Sequence, residues 1–148
     1  MPNAPFSVTN LFQARDAEAA KRRAEEEEAD RQHKAELKAF AERAMSYEIT
    51  DEDRQKALAR IKKAFMHGDK EVMITKFPSE ICADSGRHIN NHLEGWQDTL
   101  PGVFKQVYDW WESDLKPGGF GFSARILDYP NGMPGDVGLF VTWPDAQF

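Results

Sequence analysis

Residues 14–46 contain neither glycine nor proline and are built almost wholly of alanine, glutamate, lysine and arginine. These side chains lose little on entering a helix, and the two residues that break one are missing. The stretch is therefore predicted to be one long helix, and that helix constrains everything else the chain can do. Large apolar residues do not enter it until Leu37, Phe40 and Met45. Its first two thirds have no stripe to bury and no heptad seam, so they read as a solvated arm rather than as half of a strong coiled coil. Opposite charges four apart, Glu18 with Arg22, Glu27 with Arg31 and Asp30 with Lys34, add only about 0.2–0.5 kcal/mol per pair. Ahead of the arm, residues 1–13 form a tip whose greasy residues are Phe6, Val8, Leu11 and Phe12, with Thr9 or Asn10 expected to cap the helix.

After the arm, residues 47–148 are long enough for one compact domain. The chain is 41% apolar and 30% charged, with the charge excess before about residue 65, as an ordered domain with a polar extension would give. A net charge of −6 argues against nucleic acid and anionic lipid as partners and leaves a protein or a small molecule. The single cysteine, Cys82, permits no intrachain disulfide. The first residues have no basic and apolar signal pattern, and no run approaches the ~20 apolar residues of a membrane span. The cytoplasm is the expected compartment.

Within the domain, Thr50 with Asp53 resembles a capping box, and Leu58, Ile61 and Phe65 with Ala57 and Ala64 form an apolar stripe that ends at Gly68. Residues 72–77 read as a strand stopped by Pro78, with Ser79 as a helix cap directly after it. Residues 80–93 read as a short, broken helix or an ordered loop. A helix is expected over 99–115, capped by Asp98 or Thr99 with Pro101 in its first turn. Its adjacent Trp110 and Trp111 are expected to diverge, one of them reaching the edge of a groove. Two alternating runs, 120–127 and 137–143, read as strands joined by a turn-rich hairpin loop over 129–135. The fold class is thus α+β: a small three-stranded, mostly antiparallel sheet with helices packed on it, preceded by a long charged helix. Leu127, Tyr129 and Phe140 fall on the sheet's other face, to be covered by the 50–68 helix or by a partner.

Residues 77–92 gather the most chemistry. If they were helical, Asp84, His88 and His92 would lie on one side at spacings of four, a pattern able to hold zinc. Ile89 stands where a zinc helix carries a glutamate beside its first histidine, and half-buried, hydrogen-bonded histidines are the commoner outcome; no cofactor is the leading expectation. Arg87, Asn90 and Asn91, with Cys82 nearby, offer an anion or small-ligand site. The plainer reading is a loop anchored by the asparagine amides over an inert, buried Cys82. Six basic residues between Arg54 and Lys70 give a nucleic-acid face as a further alternative, though without exposed aromatics among them.

Phe77-Pro78-Ser79-Glu80-Ile81-Cys82, Gly86-Arg87, Ile89-Asn90-Asn91 and the run from Gly132 to Phe140 together resemble a group of small uncharacterised bacterial proteins. The resemblance covers about residues 70–143, leaves out the arm, and implies no activity. The functional expectation rests on the arm: a non-enzymatic interaction or assembly protein that docks through Phe6, Val8, Leu11 and Phe12. A metal- or ligand-binding domain, conceivably a hydrolase, centred on residues 82–92 is the alternative.

Overall fold

The computed structural model describes residues 6–145. Four helices, α1 (Val8–Ser46), α2 (Asp51–His67), α3 (Arg87–Asn90) and α4 (Gly102–Trp110), accompany three strands, β1 (Glu71–Pro78), β2 (Gly121–Ile126) and β3 (Asp136–Thr142). The fold is α+β, as the alternating and helical patterns predict. Two compact units are present, one through Lys38 and one from Ala39 onward.

The first unit is the arm. Its helix is capped by Ser7, whose hydroxyl accepts from the Asn10 N–H at 3.1 Å, and not by Thr9 or Asn10, which already lie inside the first turn. None of its side chains is buried; Ala44, far along α1, is the helix's one buried residue. Lys34 pairs with Asp30 at 3.0 Å as expected. Arg31 turns to Glu28 instead of Glu27, because a residue three positions back is as close on a helix as one four back.

The second unit begins with the last turns of α1. Phe40 stacks on Phe104 with ring centroids 6.1 Å apart, and Ala44 is buried. The Gln106 side chain clamps the link to α2, donating to the Tyr47 carbonyl and accepting from the Ile49 N–H, each at 2.9 Å. Both halves of the capping box at Thr50 and Asp53 form, and Gly68 ends α2 in the left-handed conformation. The buried stripe of α2 is narrower than its spacing suggests. Ile61 and Ala64 are buried, whereas Leu58 and Phe65 remain exposed, and Phe65 lies against the Trp143 ring.

The sheet has the order β1-β3-β2 and is antiparallel throughout. Central β3 buries Val137, Leu139 and Val141 completely. Phe77, Leu100 and Phe104 close over Val137 and Leu139, while Ile61, Trp110, Trp111 and Leu115 close over Val141. A bulge at Ile74 interrupts the β1 register. Arg60 on α2 donates to the carbonyls of Met73 and Ile74 at 2.7 and 3.1 Å, which blunts this sheet edge. On the opposite face Phe140 is covered from within the sheet, not by α2. The Arg125 guanidinium lies 3.8 Å over its ring and pairs with Glu71, so two edge strands roof the central aromatic between them. Leu127 and Tyr129 stay exposed.

The helix expected over 99–115 is divided. Trp96–Thr99 is a separate 3-10 turn closed by the Thr99 hydroxyl on the Trp96 carbonyl. Pro101 stands ahead of α4 with no side-chain cap, so neither Asp98 nor Thr99 caps it. Beyond Trp110 the chain widens into a π-turn, Trp111–Leu115. One extra residue in a turn rotates every later side chain about the helix axis. Trp110 and Trp111 are both buried; they diverge as the sequence suggested, Trp110 lining a concavity between α2 and α4. The Trp111 indole is satisfied by the Phe120 carbonyl at 3.0 Å.

Candidate functional site

The residues singled out between 77 and 92 meet the 127–136 loop at one end of the sheet, where β1 and β2 leave and β3 enters. Ser79 ties the two loops. Its N–H donates to the Gly135 carbonyl and its hydroxyl to the Pro134 carbonyl, each at 3.0 Å. Ser79 is thus a buried staple rather than the cap its position suggested. Gly86 packs directly on it: a Cβ there would stand 2.8 Å from the Ser79 Cβ, at a backbone φ of +82°. The Tyr129 hydroxyl donates to the Asn90 side-chain oxygen at 2.7 Å, a second tie across the loops.

The helical ladder of Asp84, His88 and His92 does not form. α3 is a single turn, and His92 lies beyond it with φ +54°, because Gly86 enters and Asn91 leaves the turn outside helical geometry. Asp84 instead caps α3. Its carboxylate accepts from the N–H groups of Gly86 and His88 at 3.0 and 2.8 Å and from the His88 ring at 2.5 Å. Burial pushes this carboxyl up, but the His88 backbone and ring and the Gly86 N–H outweigh it and hold the group below its usual range. Among the described residues no three of His, Cys, Asp and Glu are placed to share a metal ion.

Cys82 is buried, and burial first, then the Asp84 charge, push its thiol up to about 12 against a smaller opposing bond from Thr99. Such a thiol is protonated at neutral pH and is a poor nucleophile. Asn90 is occupied by Tyr129, which leaves Arg87 and Asn91 on the surface as the ligand-facing remainder of the loop. No buried side-chain nitrogen or oxygen among the described residues lacks a partner, so no buried polar group of the cluster is left open.

The depressed Asp84 carboxyl sets an acid limit. A group whose folded pKa lies below its unfolded value stabilises above the unfolded value, about 3.9 for aspartate, and loses that contribution as pH falls through the folded one. Asp84→Asn is expected to cost about 1–2 kcal/mol near neutral pH through lost charge-assisted hydrogen bonds. The cost should shrink below about pH 4. Urea melts of both proteins from pH 7 to pH 3 test this; parallel curves would show that Asp84 carries none of the acid sensitivity.

A second concavity of about 260 Å³ lies between α2 and α4 over the β1 bulge. Ile49, Ile74, Val103, Val107 and Trp110 line it, with basic residues of α2 at its rim. Those cations are engaged locally: Arg54 with Asp51 at 2.6 Å, Lys56 with Glu52 at 3.2 Å, and Arg60 with the β1 carbonyls. This compensation leaves Lys62 and Lys63 as the remnant of the basic face.

On the arm, Phe6, Val8, Leu11 and Phe12 are 82%, 68%, 51% and 48% exposed. Ser79, Gly86, Gln106 and Tyr129 are missed by sequence reasoning as tying residues. Only the Ser79–Gly86 pair had a signal, a small residue and a glycine flanking the Cys82 segment. No family model, curated protein or solved structure matches the chain, and no helix among the described residues is long and apolar enough to cross a membrane.

Proposed function

We propose that the chain is a non-enzymatic interaction or assembly protein whose N-terminal arm is the docking element, acting in the cytoplasm. The observation that supports this is the exposure of Phe6, just ahead of α1, and of Val8, Leu11 and Phe12 on it, in a helix that buries nothing before Ala44. A helix gains most of its stability in a protein from packing an apolar face, and through Lys38 this one buries no side chain among the described residues. Leu11 and Phe12 supply anchors of the kind that enter an apolar groove on a helix partner. The loop cluster at the sheet end serves the compact unit's own integrity, since its aspartate, serine and Asn90 are spent on internal bonds.

The full-length chain and its Leu11→Ser/Phe12→Ser variant, each purified from the native cell, test the reading. A stoichiometric protein partner should fall at least about tenfold with the variant, as loss of buried anchors gives. Partners retained in full by the variant, or none with the parent chain, would remove the arm from any docking role.

A further inference from the structure

Residues 21–28 read Lys-Arg-Arg-Ala-Glu-Glu-Glu-Glu. A basic block placed before an acidic one is the weaker order for pairing along a single helix. Glu28 is taken by Arg31 and Gln32. Among the described residues, no ion pair or side-chain hydrogen bond engages Lys21, Arg22, Arg23, Glu25, Glu26 or Glu27.

The segment is complementary to itself when reversed. Centred on Ala24, an antiparallel copy brings Lys21 level with Glu27, Arg22 with Glu26 and Arg23 with Glu25; of these Arg22 and Glu26 share the facing side, and the others flank it. The same register sets Leu11 against Leu37 and Ala19 against Ala29. At 100° per residue, Leu11, Arg15, Arg22, Glu26, His33 and Leu37 share one side of the helix. A parallel copy would face Arg22 with Arg22 and Glu26 with Glu26. Of the opposed residues in the antiparallel register, Glu18 with Asp30 is the one like-charged acidic pair.

We propose that the arm's partner is a second copy of this chain, the two arms pairing antiparallel about Ala24. This rests on the arm being a docking element and names its occupant. Opposed charge blocks set direction and register, and at each end the exposed Leu11 of one copy meets the half-buried Leu37 of the other. A seam of this kind needs no heptad, and it weakens as salt shortens the reach of its charges.

Sedimentation equilibrium of the full chain at low and high salt tests the proposal, with two variants: Lys21→Glu/Arg22→Glu/Arg23→Glu and Glu25→Lys/Glu26→Lys/Glu27→Lys. Both keep good helix formers, and circular dichroism confirms that the arm is intact. The parent chain should dimerise at low salt, with a dissociation constant rising at least about tenfold at high salt. Each variant alone should be monomeric, and an equimolar mixture of the two should dimerise. A monomeric parent at low salt, dimers insensitive to salt, or variants that dimerise alone would overturn the proposal. If the parent is monomeric but a different protein is lost with Leu11→Ser/Phe12→Ser, self-pairing falls and the docking reading stands. If no partner depends on those residues either, both fall.

Discussion

Phe77→Ala is expected to cost the compact unit about 3–5 kcal/mol, the range for removing a fully buried phenylalanine. Phe77 is 1% exposed and stacks on Phe104 with ring centroids 4.1 Å apart, directly over the buried Val137 and Leu139. Its loss leaves a cavity between the sheet and α4 that the strands cannot close, since β3 is held on both sides. Small domains have only about 5–15 kcal/mol in total. The midpoint of thermal unfolding should therefore fall by roughly 15–25 °C. The single thiol reports it independently: Cys82, buried and held protonated up to about 12, should alkylate only when the unit opens. Alkylation in native buffer should be markedly faster in the variant. A shift worth less than about 1 kcal/mol would mean that the core does not close through Phe77.

Gly102→Ala should be nearly as damaging, although it adds one methyl group. Gly102 has φ +47°, and a Cβ there would stand 2.3 Å from the Ala44 carbonyl oxygen and 2.7 Å from the Met45 Cα. Both are backbone atoms, so no rotamer change relieves the clash. Strain in the left-handed region and overpacking each contribute about 1–3 kcal/mol, giving an expected cost of about 2–6 kcal/mol. The loss should be local first. Hydrogen exchange at residues 39–46 should accelerate as Phe40 leaves Phe104. Gly119→Ala is the control: its φ is +94° but nothing lies within 4 Å of the added methyl, so only the conformational cost of about 1 kcal/mol applies. Equal effects from the two substitutions would show that the approach of α4 to α1 is not the limiting contact.

The two glycines show where sequence reading reaches and where it stops. Gly68 was legible as a helix stop because its role is local: a left-handed residue just past a periodic stripe. Thr50 with Asp53 and the alternating strands were legible for the same reason, since each pattern is complete within a few residues. Gly102 was not legible, because what fixes it is the carbonyl of Ala44, far away in the chain. The π-turn was hidden too: a single widened turn leaves an apolar run intact and changes only which way Trp110 and Trp111 face. Phe140 looked like a residue that needed a cover from elsewhere. Its roof, Arg125 held by Glu71, comes from strands on either side, a relation visible only once β3 is known to lie between them. At the candidate site, Asp84 and His88 were correctly picked out as neighbours, but Gly86 decided that they would cap one short turn and not build a metal-binding face. The exposed tip was plain from the start, because nothing in residues 14–36 offers it a local apolar surface.

The strand order also governs when the sheet can exist. β1 and β2 share no backbone pairing; each pairs only with β3, the last of the three in the chain. During synthesis, Phe77, Phe122 and Ile126 emerge from the ribosome before the strand that will shield them, and no partial sheet is available to hold them. The arm, whose helical backbone bonds are local, can form its helix as it emerges. The compact unit must wait for Asp136–Thr142, and until then its apolar strands are what a chaperone would meet.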